Sequence, residues 1–234
     1  MLQTITDRLN TELSSLSFSP PVTHVYNPLE YASAPYSMYL ERFGTGPKEF
    51  VFLGMNPGPF GMAQTGIPFG EVQLVRDWMG INAPVRKPSN EHPKRPVLGF
   101  DCPRREVSGR RLWTWVSENF GRPENFFKRG FVLNYCPLVF LEETGRNRTP
   151  DRLPAAERRA VIEPCDAALR QIIETLQARV VVGVGKFAED RAKIALDGVD
   201  VQIGRIAHPS PANPAANRGW SELASTQLAE LGFP

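Results

Sequence analysis

Cysteine is scarce in this chain of 234 residues: there are three, Cys102, Cys136 and Cys165, widely separated and with no CxxC pair. That spacing argues against a disulfide framework, a zinc site and an iron–sulfur cluster. Long apolar runs are missing too, and nothing reaches the length of a membrane span. The opening residues, Met1-Leu2-Gln3-Thr4-Ile5-Thr6-Asp7-Arg8, lack the basic start and apolar stretch of a secretory signal. Charge of one sign is nearly absent in the sum, because the net charge is only +2. Bulk electrostatics therefore announce no nucleic-acid partner. No internal repeat or low-complexity linker divides the chain. The expectation is a reduced, cytoplasmic protein, nucleoid-associated in a bacterium or nuclear in a eukaryote, with no membrane, metal or cofactor and acting as a monomer.

What is present fits one globular unit. Hydrophobic residues make up 41% and charged residues 22%, and a chain of this length can bury a sizeable core as one domain. A single domain is expected over residues 1–234, with an N-terminal helical extension over 1–20. Leu2, Ile5, Leu9, Leu13 and Leu16 recur at helical spacing. A second helix is expected from Pro28 to Phe43, ended by Gly44. The first strand is expected over Glu49 to Leu53, followed by a Gly/Pro loop from Met55 to Gly70. Helices follow over Glu71–Met79 and Arg110–Asn119, the latter capped by Ser108. The second strand is read over Gly130–Tyr135 and the third over Arg179–Gly183, with a long helix from Pro154 to Gln177 between them. Pro164 must kink or split that helix. A helix over Lys186–Leu196, a strand over Val201–Ile206 and a helix over Trp220–Leu231 complete the chain. Strands separated by helices imply an α/β fold in three layers, a parallel sheet of about four strands flanked by helices.

In such sheets ligands bind beyond the carboxyl ends of the strands. The first strand ends in Gly54-Met55-Asn56-Pro57-Gly58-Pro59-Phe60-Gly61-Met62, which presents a carboxamide on a turn. The second ends on Asn134, a polar residue where the apolar pattern calls for none. The last ends on His208-Pro209-Ser210-Pro211. Each has a plain alternative: Asn56 capping its own turn, Phe60 and Phe69 anchoring a loop, His208 satisfied structurally. Together they make a pocket suited to a planar heterocycle: an aromatic to stack on, amides to read donors and acceptors, and an imidazole. Asp, Glu, Cys and Ser are absent from the most convincing positions, which argues against hydrolases built on covalent nucleophiles or metals. Between Arg86 and Arg111 eight basic side chains, Arg110 among them, face three acidic ones. That basic, Pro-rich stretch is either a phosphate-contacting surface or a solvated loop. Val182-Gly183-Val184-Gly185-Lys186 imitates a phosphate loop, but Val180 stands where the first Gly belongs and Phe187 follows the Lys. A tight strand-to-helix turn with a surface Lys is the better reading.

At these residues the chain resembles the uracil-DNA glycosylase superfamily and, more narrowly, the single-strand-selective monofunctional uracil-DNA glycosylases. The segment Gly54 to Gly66 reads almost letter for letter as that family's signature. Phe69-Gly70-Glu71, Val107-Ser108-Gly109, Asn134-Tyr135-Cys136-Pro137-Leu138, Gly145-Arg146-Asn147 and His208-Pro209-Ser210-Pro211 match in order. So do Tyr26-Asn27-Pro28-Leu29-Glu30-Tyr31 and the stretch Asn213 to Trp220. The resemblance implies that Asn56 positions water, that Phe69 stacks on a flipped base, that Asn134 reads its Watson–Crick edge and that His208 stabilises the departing uracil anion. It implies a base pocket completed by Met55, Gly58 and Met62, and a DNA-facing segment with Ser210, Ala212, Asn213, Asn217 and Arg218, joined by Arg110. Ala212 departs from the pattern, since members often carry Arg there, which bears on duplex penetration. Gly58 stands where some relatives in the superfamily place a Tyr that crowds the thymine methyl. The expected partner is DNA containing uracil or damaged pyrimidines, with excision of uracil and 5-hydroxymethyluracil. A non-catalytic single-strand-binding module and a small-molecule nucleoside hydrolase are the competing readings.

Overall fold

The computed structural model describes residues 1–233. Helix α1 (Leu2–Ser14) is followed by strand β1 (Val22–Tyr26) and helices α2 (Pro28–Tyr31) and α3 (Ser33–Phe43). The single helix expected over Pro28–Phe43 is thus two, because Ala32 leaves helical geometry at φ −110° and ψ 30°. Strand β2 (Phe50–Gly54) and the short helix α4 (Met62–Thr65) come next. Where a regular helix was expected over Glu71–Met79, the chain makes one wide turn at Leu74–Trp78. Helices α5 (Val107–Phe120) and α6 (Pro123–Arg129) lead into β3 (Gly130–Asn134), and the hairpin β4 (Val139–Glu142) and β5 (Asn147–Arg148) follows. Helix α7 (Ala155–Leu176), β6 (Val180–Val184), α8 (Lys186–Ala195), β7 (Gln202–Ile206) and α9 (Trp220–Glu230) finish the described chain.

The main sheet has the order β3-β2-β6-β7 with every pair parallel, as the alternation of strands and helices requires. Its central strand β2 is buried at every residue, so it reads as a continuous apolar run rather than an alternating one. Aromatic rings fill the layer between β2, β3 and the helices: Phe52 stacks on Phe126, Tyr39 on Phe131, and Phe43 on Phe127. Helix α1 lays Leu2, Leu9 and Leu13 into the same core and packs on α7. A second sheet, order β1-β4-β5 and antiparallel, was not anticipated. Its strands are short, and only Val139-Phe140-Leu141 offers an apolar run. Helix α6 was missed for the same reason: seven residues give too little periodicity.

One local expectation is narrowed and another corrected. Helix α7 passes through Pro164 without splitting. The proline forfeits one backbone bond, while Val161, Cys165, Ala168, Leu169, Ile172 and Ile173 keep the turns on either side seated in the core. Helix α5 begins before Ser108, with the Glu106 carboxylate accepting from Gly109 N at 2.8 Å as its cap. A carboxylate at the cap satisfies an orphan N–H as well as a hydroxyl does, and Ser108 is released for another use.

The imitation phosphate loop is a packing device. A Cβ on Gly183 would lie 2.4 Å from the backbone nitrogen of Glu189, so only glycine lets α8 approach β6 this closely. Gly185 has φ 93°, and the Lys186 ammonium pairs with Asp190 on the exposed face of α8. We expect Gly183→Ala to cost about 2–3 kcal/mol, the scale of overpacking against backbone, whereas Lys186→Ala changes stability little. Denaturant unfolding of the two variants checks this, and the reverse order would contradict it.

Candidate active site

The parallel register decides what meets at the end of the sheet. Gly54 pairs with Asn134 as the last rung between β2 and β3. The ladder runs two residues further, with Tyr135 N donating to Gly54 O and Cys136 N to Met55 O, both at 2.9 Å. β7 ends two residues before His208, and Gly185, at the end of β6, lies against that ring. A Cβ on Gly185 would come within 3.2 Å of His208 Cβ. The strand ends thus open on one cavity of about 370 Å³, lined by Met55, Asn56, Gly58, Met62, Phe69, Asn134, His208 and Ser210 together with Glu106, Ser108, Asn147 and Thr149. All the base-facing and catalytic candidates are brought together.

Each is held by its own local constraint. Asn56 Nδ2 donates to Leu138 O at 3.2 Å, which leaves Oδ1 as the acceptor for the cavity. Asn134 Nδ2 meets only the weak acceptor Met62 Sδ, at 3.2 Å. A better acceptor on a ligand would displace it. Phe69 has φ 54°, a left-handed conformation that costs a non-glycine residue about 1–2 kcal/mol. Glu71 N bonding to Phe69 O and Trp113 Nε1 to Pro68 O hold the strained turn. Glycines at 54 and 109 give Phe69 room: a Cβ on Gly54 would sit 2.6 Å from its ring, and one on Gly109 would sit 1.9 Å from its carbonyl oxygen.

His208 is tautomerically defined. Its Nδ1 accepts from Ser210 N at 3.1 Å, and a backbone amide can only donate. The ring proton therefore sits on Nε2. Burial pushes the imidazole down to about 4, so it is neutral at physiological pH. Its ring centroid lies 6.2 Å from that of Phe69. The site thus offers a neutral N–H donor beside an aromatic face.

Four lining residues were not among the site residues expected from the sequence, although Ser108 was expected as a helix cap. Asn147 donates to Pro57 O at 2.9 Å, fixing the turn after Asn56, and its own Oδ1 is buried without a partner. Glu106 is pushed up to about 7, first by burial, against the opposing pull of the Gly109 N–H, and further by Glu71. Glu71 is itself buried and bonded to Leu74 N. Sequence gave two hints, Glu106 directly before the Val107-Ser108-Gly109 match and the pair of glycines that faces it. Ser108, which is buried, and Thr149 add hydroxyls to the lining, and nothing in periodicity singles them out.

The outer residues divide. Ala212 and Arg218 are exposed. Asn213 and Asn217 brace the loop from within, through Asn213 Nδ2 to His208 O at 3.0 Å and Asn217 Nδ2 to Pro211 O at 2.8 Å. Ser210 Oγ accepts from Ala212 N. Arg110 lies apart from the cavity, in a groove with Glu71, Asp77 and Trp78. Its neighbour Arg111, one helical step round, donates to Pro209 O and Asn217 Oδ1. The basic stretch is mixed: Arg86 and Lys87 bond inward to Glu30 O and Val97 O, while the Arg104 guanidinium stacks 4.2 Å over Phe60 on the first motif loop. Among the described residues no group of three metal-ligating side chains stands together, and no helix is long and apolar enough to cross a membrane.

A carboxyl raised in the fold binds its proton more tightly there than in the unfolded chain. Its contribution to stability therefore falls as pH rises from the ordinary carboxyl range to about 7. Glu106→Gln removes the ionisation, so it should raise Tm above wild type at pH 8 and by clearly less at pH 5. Thermal unfolding at both values checks this. An equal shift at both would mean that the carboxyl is not held protonated.

Comparison with known proteins agrees with this geometry. A model of the uracil DNA glycosylase superfamily matches residues 43–229. The chain is 54% identical over 228 residues to the single-strand selective monofunctional uracil DNA glycosylase of Mus musculus, spanning 97% of this chain and 82% of that protein. Proteins of the same description from Rattus norvegicus and Bos taurus are also 54% identical over 97% of the chain, covered to 82% and 84%. The crystal structure of wild-type SMUG2 from Pedobacter heparinus shares the fold, with a TM-score of 0.68, 18% identity and 97% of both chains covered. The chain belongs to the uracil-DNA glycosylase superfamily, in the family of its single-strand selective monofunctional members.

Proposed function

We propose that the protein hydrolyses the N-glycosidic bond of uracil and of C5-oxidised uracils in single- and double-stranded DNA. It acts as a monomer and leaves an unbroken strand with an abasic site. The observation that carries this is a single cavity holding a neutral imidazole donor, two carboxamides and an aromatic face. A base must leave the stack to enter it, which costs a few kcal/mol from duplex and less from a single strand.

Breaking the C1′–N1 bond sends its electron pair to the base and leaves an oxocarbenium-like sugar. His208 Nε2–H donates to O2, where negative charge develops, in the manner of an oxyanion hole. A neutral donor suffices because the base departs as its anion. Asn56 Oδ1 holds water against C1′; the hydroxyl joins the sugar and the remaining proton ends on the base. An amide is no general base, so its contribution is positioning, worth several kcal/mol. Asn134 accepts from N3–H and donates to O4, and cytosine inverts both. None of the six lysines lines the cavity, which supports hydrolysis over a Schiff-base route to strand cleavage. Arg104 stacked on Phe60 of the first motif loop, and the exposed Arg218 of the segment after His208, supply positive charge and an aromatic ring suited to a nucleic-acid strand.

Uracil-containing oligonucleotide incubated with the protein should break only after hot alkali, and borohydride should trap no protein–DNA adduct. Asn56→Ala and His208→Ala should each lower single-turnover rates by at least about a hundredfold, the scale of one lost oxyanion donor, with DNA binding nearly intact. A binding module would give no alkali-labile sites, and a nucleoside hydrolase would act on the free nucleoside instead. Near wild-type rates in both variants would refute the mechanism.

A further inference from the structure

The cavity holds one carboxyl, Glu106, to which the mechanism gives no task. His208 and Asn134 take O2 and the N3–O4 edge, and going round the ring the next atom is C5. Of the remaining lining, Gly58 and Glu106 stand against each other. Position 58 has no side chain, yet the space in front of it is not empty. A Cβ on Gly58 would stand 3.2 Å from Glu106 Oε1, and one on Gly61 would stand 2.8 Å from Oε2. Two glycines in one loop therefore make room for a single carboxyl. Oε2 is used, accepting from Gly109 N at 2.8 Å. Oε1 has no hydrogen-bond partner among the described residues and is open to the cavity.

We propose that Glu106 is the specificity-determining residue for the C5 position, its Oε1 accepting a hydrogen bond from a hydroxyl carried on the C5 substituent. The inference rests on the glycosylase reading above and names the group that implements it. A hydroxymethyl arm brings a donor to an acceptor that otherwise has none. A methyl desolvates that oxygen and returns nothing, which is a penalty rather than a neutral contact. Uracil, with hydrogen at C5, leaves room for water to bond the carboxyl. The site's surroundings keep this acceptor unclaimed: no cation pairs with it, and its charged neighbour is the acidic Glu71. His208, across the cavity, is neutral above about 4. The other polar groups of the lining are amides and hydroxyls.

The test measures kcat/KM on oligonucleotides containing uracil, 5-hydroxymethyluracil or thymine, for wild type, Glu106→Gln and Glu106→Met. Gln keeps the cap on Gly109 and a polar group for the hydroxyl, so a preference for hydroxymethyluracil over thymine should survive in reduced form. Met is apolar and of similar length; that preference should fall by up to about tenfold, the worth of one hydrogen bond, with thymine gaining. An unchanged ratio in Glu106→Met that still excises uracil would overturn the proposal. So would an equal fall on all three bases in Glu106→Gln, because the carboxyl would then serve the chemistry common to them. Wild type that cuts uracil but not hydroxymethyluracil would refute this inference alone, whereas wild type that cuts none would refute the glycosylase reading.

Discussion

The whole site depends on one close approach, at the last rung between β2 and β3. Gly54 stands opposite Asn134, and a Cβ there would fall 2.3 Å from Asn134 Oδ1 and 2.6 Å from the Phe69 ring. Only a bare backbone lets the amide and the ring share that space. The parallel register fixes the rung, the apolar helices on both faces fix the register, and the cavity follows. Phe69 accepts a left-handed backbone in return, which is strain of the sort that concentrates at functional sites.

Electrostatics completes what the packing begins. The cavity disfavours charge on both of its titratable groups, lowering a histidine to about 4 and raising a carboxyl to about 7, and burial is the leading cause of both. Neither change helps the fold. A glutamate without a cation at the rim of a cavity, capping a helix through only one oxygen, is a stability cost at neutral pH, and such perturbed groups mark sites of function. Two opposite shifts within one cavity divide the labour. In the mechanism proposed above, the neutral imidazole keeps a donor available for developing negative charge, and the unclaimed carboxyl oxygen would give the cavity a preference among substituents.

Much of this was legible in the sequence, for identifiable reasons. Three of the four parallel strands announced themselves because strands buried on both faces are short apolar runs, and Asn56 and Asn134 stand at the ends of two of them; β7 is half exposed, with Ile203 and Ile206 among polar residues, and leads to His208. The small antiparallel sheet was not legible, since its three strands are too short for a period and pair across long stretches of chain. Pro164 does not split α7, because tertiary packing holds the turns on either side of it. Arg110 and Arg111 show the limit of composition: both belong to the basic stretch, and one helical step decides that Arg111 braces the His-Pro-Ser-Pro loop. Glu106 was hidden because a carboxylate beside a helix start looks like a cap. It is one, but its second oxygen is visible only when the Gly58–Gly61 loop is folded against it.

The central claim is that His208 is a neutral imidazole with its proton on Nε2, aimed at the cavity. Nitrogen-15 NMR of the histidine side chains between pH 5 and 8 addresses it directly, with the His208→Ala variant supplying the assignment. The account predicts one ring that does not titrate across this range and shows a protonated Nε2 beside an unprotonated Nδ1. A His208 ring that gains a proton near the ordinary histidine value, or carries its proton on Nδ1, would contradict it.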